Sequence, residues 1–254
     1  MGRIPDSLTL SVPMKRYHRG VLSEDTGEIL REAGLSLYVN NSLLIMILCL
    51  PSHLEELVVG YLWTEGIIAS LEEVVSCNID VETGRADVWL DKTTETAVLE
   101  QMAATDNGDT VRLPEAMGRR ALCGVKEPAY NCETVLKNAN RLLVHSKLFR
   151  TTGNVHAVML CRDDEILCCM EDVGRFSAFD KCLGYALRKG WVLEDVCAYT
   201  TGRVPRALVL KAIRTGIPML VSRSAPTDAA LDLARCYGVK VVGFARGDGM
   251  NVYC

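Results

Sequence analysis

The chain has 254 residues, of which 49% are hydrophobic, and a net charge of −4. That length buries a sizeable core as one large domain or two modest ones, and the balance excludes both a basic nucleic-acid coat and a disordered chain. Met1 to Asp6 holds no apolar signal core, and the longest apolar run, Leu43 to Leu50, falls well short of the ~20 residues that span a bilayer, so a soluble cytoplasmic protein without membrane insertion is expected.

Up to about Ser36, short alternating patches such as Leu8-Thr9-Leu10-Ser11-Val12, broken by Gly20, Gly27 and Gly34, read as strands and turns. Leu35–Val39 and Leu43–Leu50 flank Asn40-Asn41, a pair that tolerates positive φ and suits a tight hairpin. Ser52, with Glu55 three residues on, reads as the cap of a helix whose face is Leu54, Leu57, Val58, Tyr61 and Leu62 and which stops near Gly66. Val74 to Leu90 alternates about Thr83-Gly84 as a second hairpin. From Asp91 to Arg120 the chain is polar and irregular, either a loop or an insertion tip, and a domain boundary is placed near residue 120. The expected units are 1–120, β-rich with one helix, and 121–254.

Ala129 to Ser146 has helical spacing, with Val135, Ala139, Leu142 and Leu143 on one face. Apolar runs then alternate with helical patterns. Strands are expected at Val155–Cys161, Ile166–Met170, Val196–Thr200, Pro218–Val221 and Val239–Phe244, with helices near Ala178–Lys189, Arg206–Thr215 and Ala229–Tyr237. This alternation predicts an α/β layer with helices packed on a mixed sheet, α+β overall once the β-rich start is counted.

Polar groups gather where these strands end. Ser222-Arg223-Ser224 follows the fourth strand and precedes a helix that Thr227 or Asp228 can cap, a layout suited to an anion or, alternatively, a solvent-facing turn. His156 lies just inside the first strand, either as a hydrogen-bonded core histidine or as a ligand contact. Glu171-Asp172-Val173-Gly174-Arg175 ends the second strand, Thr200-Thr201-Gly202-Arg203 the third, and Phe244-Ala245-Arg246-Gly247-Asp248-Gly249 follows the fifth. If parallel strand ends converge, Arg175, Arg203, Arg223 and Arg246 share one crevice that suits a phosphate-bearing ligand. The alternative pairs each arginine with a carboxylate, such as Arg175 with Asp172. Asp180 and Lys181 are read as a helix start, with the lysine solvated.

Eleven cysteines are scattered, and neighbours such as Cys168-Cys169 sit in apolar runs as small core hydrophobes of a protein kept in a reducing compartment. No two stand at CxxC spacing and His156 is followed by Val158 rather than a His-x-Glu pair, so a zinc-deaminase site is excluded and no protein-held metal is expected. Cys123, after Arg119-Arg120 and near Lys126, has positive neighbours that favour the thiolate; the alternative is a buried inert thiol.

Thr152-Gly153-Asn154-Val155-His156-Ala157, Glu171 to Arg175 running on to Ala178-Phe179-Asp180-Lys181, Thr201-Gly202-Arg203, Ser222 to Thr227, and Gly243-Phe244-Ala245-Arg246-Gly247 with Asn251-Val252-Tyr253 together resemble the FdhD family of accessory sulfurtransferases for formate dehydrogenase. The resemblance implies a cytidine-deaminase-like C-terminal domain without zinc and a homodimer. It implies a sulfurtransferase that accepts sulfur from a cysteine desulfurase as a persulfide on Cys123 and passes it to bis-molybdopterin guanine dinucleotide, the molybdenum cofactor of formate dehydrogenase. His156, Arg175, Gly202, Arg203, Ser222, Arg223, Ser224 and Phe244, Ala245, Arg246, Gly247, Asp248, Gly249 would hold that cofactor. The chain departs from the family's Cys-Gly-x-Cys-Gly loop, since Lys126 stands at the second cysteine; Asn154 and Phe176 replace a glycine and a histidine. For the relay, Cys132 is the candidate second thiol if the loop folds back; the alternative is a cofactor-binding chaperone without sulfur relay, suggested by Lys126 at the second cysteine's place.

Overall fold

Residues 3–91, 125 and 128–254 are described by the computed structural model. Cys123, Lys126 and, Asp91 apart, the polar stretch to Arg120 lie outside the described residues. The first two strands, β1 (Thr9–His18) and β2 (Val21–Leu30), form an antiparallel ribbon whose turn is Arg19-Gly20, both at positive φ. Of the three early glycines only Gly20 makes a turn. Gly27 lies within β2, where a Cβ would meet the Met14 sulfur at 2.7 Å, and Gly34 lies within β3.

Strands β3 (Ala33–Val39), β4 (Ser42–Cys49), β5 (Val74–Asp80) and β6 (Arg85–Leu90) build a four-stranded sheet in the order β4-β3-β6-β5. Alternation in β3 buries Ala33, Leu35, Leu37 and Val39, and Asn40-Asn41 turns into β4 with φ of 47° and 69°. Helix α1 (Leu54–Thr64) begins after His53, in a left-handed conformation, and not on a Ser52 cap. It is buried on more than the one face expected, because a later helix, Arg175–Arg188, packs closely across it at Gly60 and Gly184.

The six-stranded sheet has the order β12-β11-β10-β9-β7-β8 and is mixed. Its strands are β7 (His156–Arg162), β8 (Glu165–Asp172), β9 (Val196–Thr200), β10 (Met219–Ser222), β11 (Lys240–Arg246) and β12 (Gly249–Val252). Helix α2 (Cys132–His145) covers one face, with Val135, Ala139 and Leu142 against Ala157, Met159, Tyr199 and Val221. Helices α4 (Arg175–Arg188), α5 (Arg206–Thr215) and α6 (Asp228–Tyr237) contribute to the core on the other face, which runs without a break into α1 and the four-stranded sheet. A mixed α+β chain is therefore what the alternation predicted.

Strand β12 and the six-residue helix α3 (Lys147–Thr152) escaped the sequence pattern, as did a short 3-10 turn at Leu71–Glu73. The α3 N-terminus is held by Glu171, whose carboxylate accepts from the backbone N–H groups of Leu148 and Phe149 at 3.1 and 2.9 Å.

The expected solvated position of Lys181, and with it the helix start at Asp180, is overturned, because α4 starts three residues earlier than its periodicity suggested and turns both side chains inward. Lys181 is fully buried; its Nζ sits 2.6 Å from Asp172 and donates to the Leu50 carbonyl at 3.1 Å, while Asp172 accepts from the Leu50 N–H. The pair thus satisfies both backbone groups of the residue where the chain leaves β4. Asp172 is committed to Lys181 in this way, not to Arg175 as a salt-bridge partner.

Candidate functional site

Strands β9, β10 and β11 are mutually parallel, β7 is antiparallel to β9, and β8 is antiparallel to β7. The C-terminal ends of β8, β9, β10 and β11 and the N-terminal end of β7 therefore meet at one sheet edge. A cavity of about 520 Å³ opens there, lined by His156, Thr201, Arg223, Ser224, Phe244 and Arg246 from the strand ends, together with Gly153, Asn154, Val155 and Val173. Leu143 of α2 and Phe149 of α3 supply an apolar flank that no motif marked.

The strand-end residues take different parts. Ser222 is buried and its hydroxyl is consumed internally: it donates to the Gly202 carbonyl at 2.7 Å and accepts from the Ser224 N–H at 2.8 Å. It shapes the wall and leaves Ser224 to line it. Gly202 also stays behind the lining, because a Cβ there would stand 3.1 Å from both His156 Nδ1 and the Arg175 Cβ. Ala245 is buried, and Gly247, Asp248 and Gly249 form the exposed tip between β11 and β12. Helix α6 does not present its first turn to the cavity. Thr227 caps it by accepting from Ala230 at 3.3 Å, and the preceding segment pairs with Val204.

Arg223 donates to the Ala139 carbonyl at 3.0 Å and to the Asn140 side-chain oxygen at 3.4 Å. Burial first, and then the nearby Arg246 charge, pull its guanidinium below the usual value. Among the described residues no salt bridge reaches Arg223 or Arg246, so the cavity carries two uncompensated positive charges that favour an anion. Phe244 holds φ of 53°, costly for a residue with a Cβ, and its ring lies 39% exposed beside the Arg246 guanidinium. A strained, exposed aromatic next to two arginines suits a flat ring joined to phosphate.

His156 is held neutral: burial lowers its pKa from 6.5, the Arg175 and Arg203 charges lower it further, and Asp172 opposes them. The unfolded chain therefore takes up this proton first, so the site's contribution to stability is present above about pH 6.5 and is lost as pH falls below it. An NMR titration should place the His156 midpoint below 6.5, and Arg203→Gln should move it upward. A wild-type midpoint at or above 6.5 contradicts this electrostatic picture.

The sequence matches the FdhD/NarQ family over residues 30–254. The chain belongs to that family. A sulfur carrier protein FdhD from Geobacillus kaustophilus is 33% identical over 248 residues, covering 95% of this chain and 93% of that protein. One from Listeria innocua is 31% identical over 246 residues, covering 94% of each. A protein from Desulfotalea psychrophila described as a formate dehydrogenase accessory protein has a crystal structure that superposes with a TM-score of 0.75 at 26% identity, covering 97% of both chains.

Within this FdhD/NarQ fold the strand-end residues are therefore sorted by position. His156, Arg223, Ser224, Phe244 and Arg246 line the cavity. Arg175 and Arg203 act on it through His156, and Ser222, Gly202 and Ala245 stand behind it. Asn140 and Phe149 went unmarked in the sequence, and Leu143 was read there as a packing residue of the helix face; the signal for Asn140 was a mid-helix asparagine, a residue that helices disfavour unless its side chain has a task. Among the described residues no cluster of three histidine, cysteine or acidic side chains could hold a metal ion, and no helix is long and apolar enough to cross a membrane.

Proposed function

We propose that this chain is a sulfur carrier for formate dehydrogenase that moves sulfur as a persulfide on Cys123 from a cysteine desulfurase to bis-molybdopterin guanine dinucleotide. The carrying observation is the cavity in which Arg223, Arg246 and the exposed Phe244 ring meet, a set that fits a guanine ring and its pyrophosphate. Names borne by relatives support the sulfur-carrier part. In the loading step the Cys123 thiolate attacks the outer sulfur of the donor's persulfide. A bond forms to Cys123 and the donor cysteine leaves as thiolate, with no net oxidation. Release of that sulfur as sulfide takes up two electrons, which the receiving metal or a thiol reductant supplies. His156, neutral and half-buried, meets the ligand as a hydrogen-bonding ring without a third charge. A homodimer working in the cytoplasm completes this reading.

Incubation with a desulfurase and cysteine should place a persulfide on Cys123 by mass spectrometry. Arg246→Gln should leave that loading intact but weaken GDP binding by about tenfold, the loss of one charge-assisted hydrogen bond. An unlabelled Cys123, with Cys123→Ala fully active in cells, overturns the relay. The second reading, a cofactor-binding chaperone, is favoured by Lys126 at the family's second cysteine and predicts GDP binding with indifference to Cys123→Ser.

A further inference from the structure

Phe244 is pinned by its N–H, which donates to the Ser224 carbonyl at 2.9 Å, but beyond it the β11–β12 tip that carries Arg246 is poorly anchored by its own sheet. The ladder runs from Val242↔Val252 and Gly243↔Asn251 and is then broken until Arg246↔Gly249. Between those points Phe244 sits at φ 53°, and Gly247, at the turn, at φ 61°. Residues 246 to 249 are all exposed, so apolar burial does little to hold them.

The tip is instead tied to α2. The Asn140 Nδ2 donates to the Gly247 carbonyl at 2.7 Å, and its Oδ1 accepts from the Gly247 N–H at 3.0 Å. A primary amide is the side chain whose donor and acceptor match a residue's own C=O and N–H together. The same Oδ1 also accepts from Arg223 at 3.4 Å, and Arg223 is steadied by the carbonyl of the preceding residue, Ala139. One neutral side chain thereby links the two arms of the cavity, across 107 residues of sequence in the case of Gly247.

We propose that Asn140 is a positioning residue of the anion cavity: it clamps the β11–β12 turn to α2 and steadies Arg223 while leaving the arginine charges uncompensated. This rests on the reading of the cavity as a site for a phosphate-bearing nucleotide. Neutrality is part of the role. An aspartate would still accept from the Gly247 N–H, yet would face the Gly247 carbonyl with a like partial charge and place a carboxylate on Arg223, filling the anion's place.

The test compares wild type, Asn140→Ala and Asn140→Asp by amide hydrogen exchange and by calorimetric titration with GDP. Asn140→Ala should speed exchange of the Gly247 N–H at least tenfold, with the α2 and β7 amides unchanged, and weaken GDP binding by about tenfold, as expected when both hydrogen bonds to Gly247 and the one from Arg223 are lost. Asn140→Asp should keep Gly247 protected and still weaken GDP binding by about tenfold or more. That split between exchange and affinity is what a merely structural asparagine would not produce. Unchanged Gly247 exchange in Asn140→Ala, faster exchange throughout the chain, or GDP affinity equal to wild type in both variants overturns the proposal. A wild-type protein that binds no GDP refutes the nucleotide reading of the cavity instead, and the clamp is then decided by the exchange comparison alone.

Discussion

Gly184→Ala is expected to lower the melting temperature by about 6–12 °C, from a net destabilisation of about 3 kcal/mol in a chain of this size. Gly184 on α4 and Gly60 on α1 face each other where the helices cross. A Cβ on Gly184 would stand 1.9 Å from the Glu56 carbonyl oxygen and 2.8 Å from the Gly60 nitrogen; one on Gly60 would stand 1.9 Å from the Asp180 carbonyl oxygen. These are backbone atoms, so no rotamer change relieves the contact, and the helices must part. Parting them loosens both ends of the crossing, where Arg188 meets Glu55 at 2.6 Å and Thr64 donates to Asp180 at 2.7 Å. In an open helix the same change would stabilise by about 1 kcal/mol, since alanine is the better helix former. The sign of the shift therefore separates the two cases, and a melting temperature equal to or above wild type by differential scanning calorimetry rules out the tight crossing.

What a sequence reveals of such a fold depends on how local its cause is. The β3–β4 turn at Asn40-Asn41 and the strands that line the cavity follow from alternation and apolar runs, which are local, and the convergence of strand ends follows once β9, β10 and β11 lie parallel. Helix α3 is different: its first turn is satisfied by Glu171, more than twenty residues away. Strand β12 exists through pairing with β11. Ser222 read as a ligand donor because a hydroxyl after a strand has two possible employers, and only the position of the Gly202 carbonyl decides between them. Asn140 has the same difficulty in reverse, since its partner at Gly247 is invisible from the helix alone. Charged residues mislead most strongly, because local pattern assigns them to solvent unless a buried partner is known.

Lys211 shows how large that effect is. It lies buried on α5, and its ammonium meets Asp180 at 2.9 Å, Glu65 at 2.8 Å and the Thr64 hydroxyl at 2.8 Å, so all three of its protons are used. Arg214 joins the group, donating to the Thr64 carbonyl at 3.0 Å and approaching Glu65 at 3.4 Å. Two cations and two carboxylates thus bind α5 to α1 and α4. Burial works to discharge Lys211, but Asp180 and Glu65 outweigh it and raise its pKa, while for Asp180 burial prevails and raises the carboxyl above its usual range. Lys211→Met keeps much of the side chain's volume and leaves two carboxylates facing one arginine in the interior. Removing one partner of a buried pair costs about 3–5 kcal/mol, so the melting temperature should fall by about 6–20 °C at pH 7. The pH profile should change as well. With Lys211 gone, the folded-state pKa of Asp180 rises further above its unfolded value, so the variant gains stability as pH is lowered from 7 toward 5 and loses it again as pH rises through the folded pKa. Adding Asp180→Asn removes the surplus charge and should recover part of the loss, giving a coupling energy in a double-mutant cycle that two independent surface charges would not show. If Lys211→Met melts with wild type across that pH range, the buried cluster does not hold these helices together.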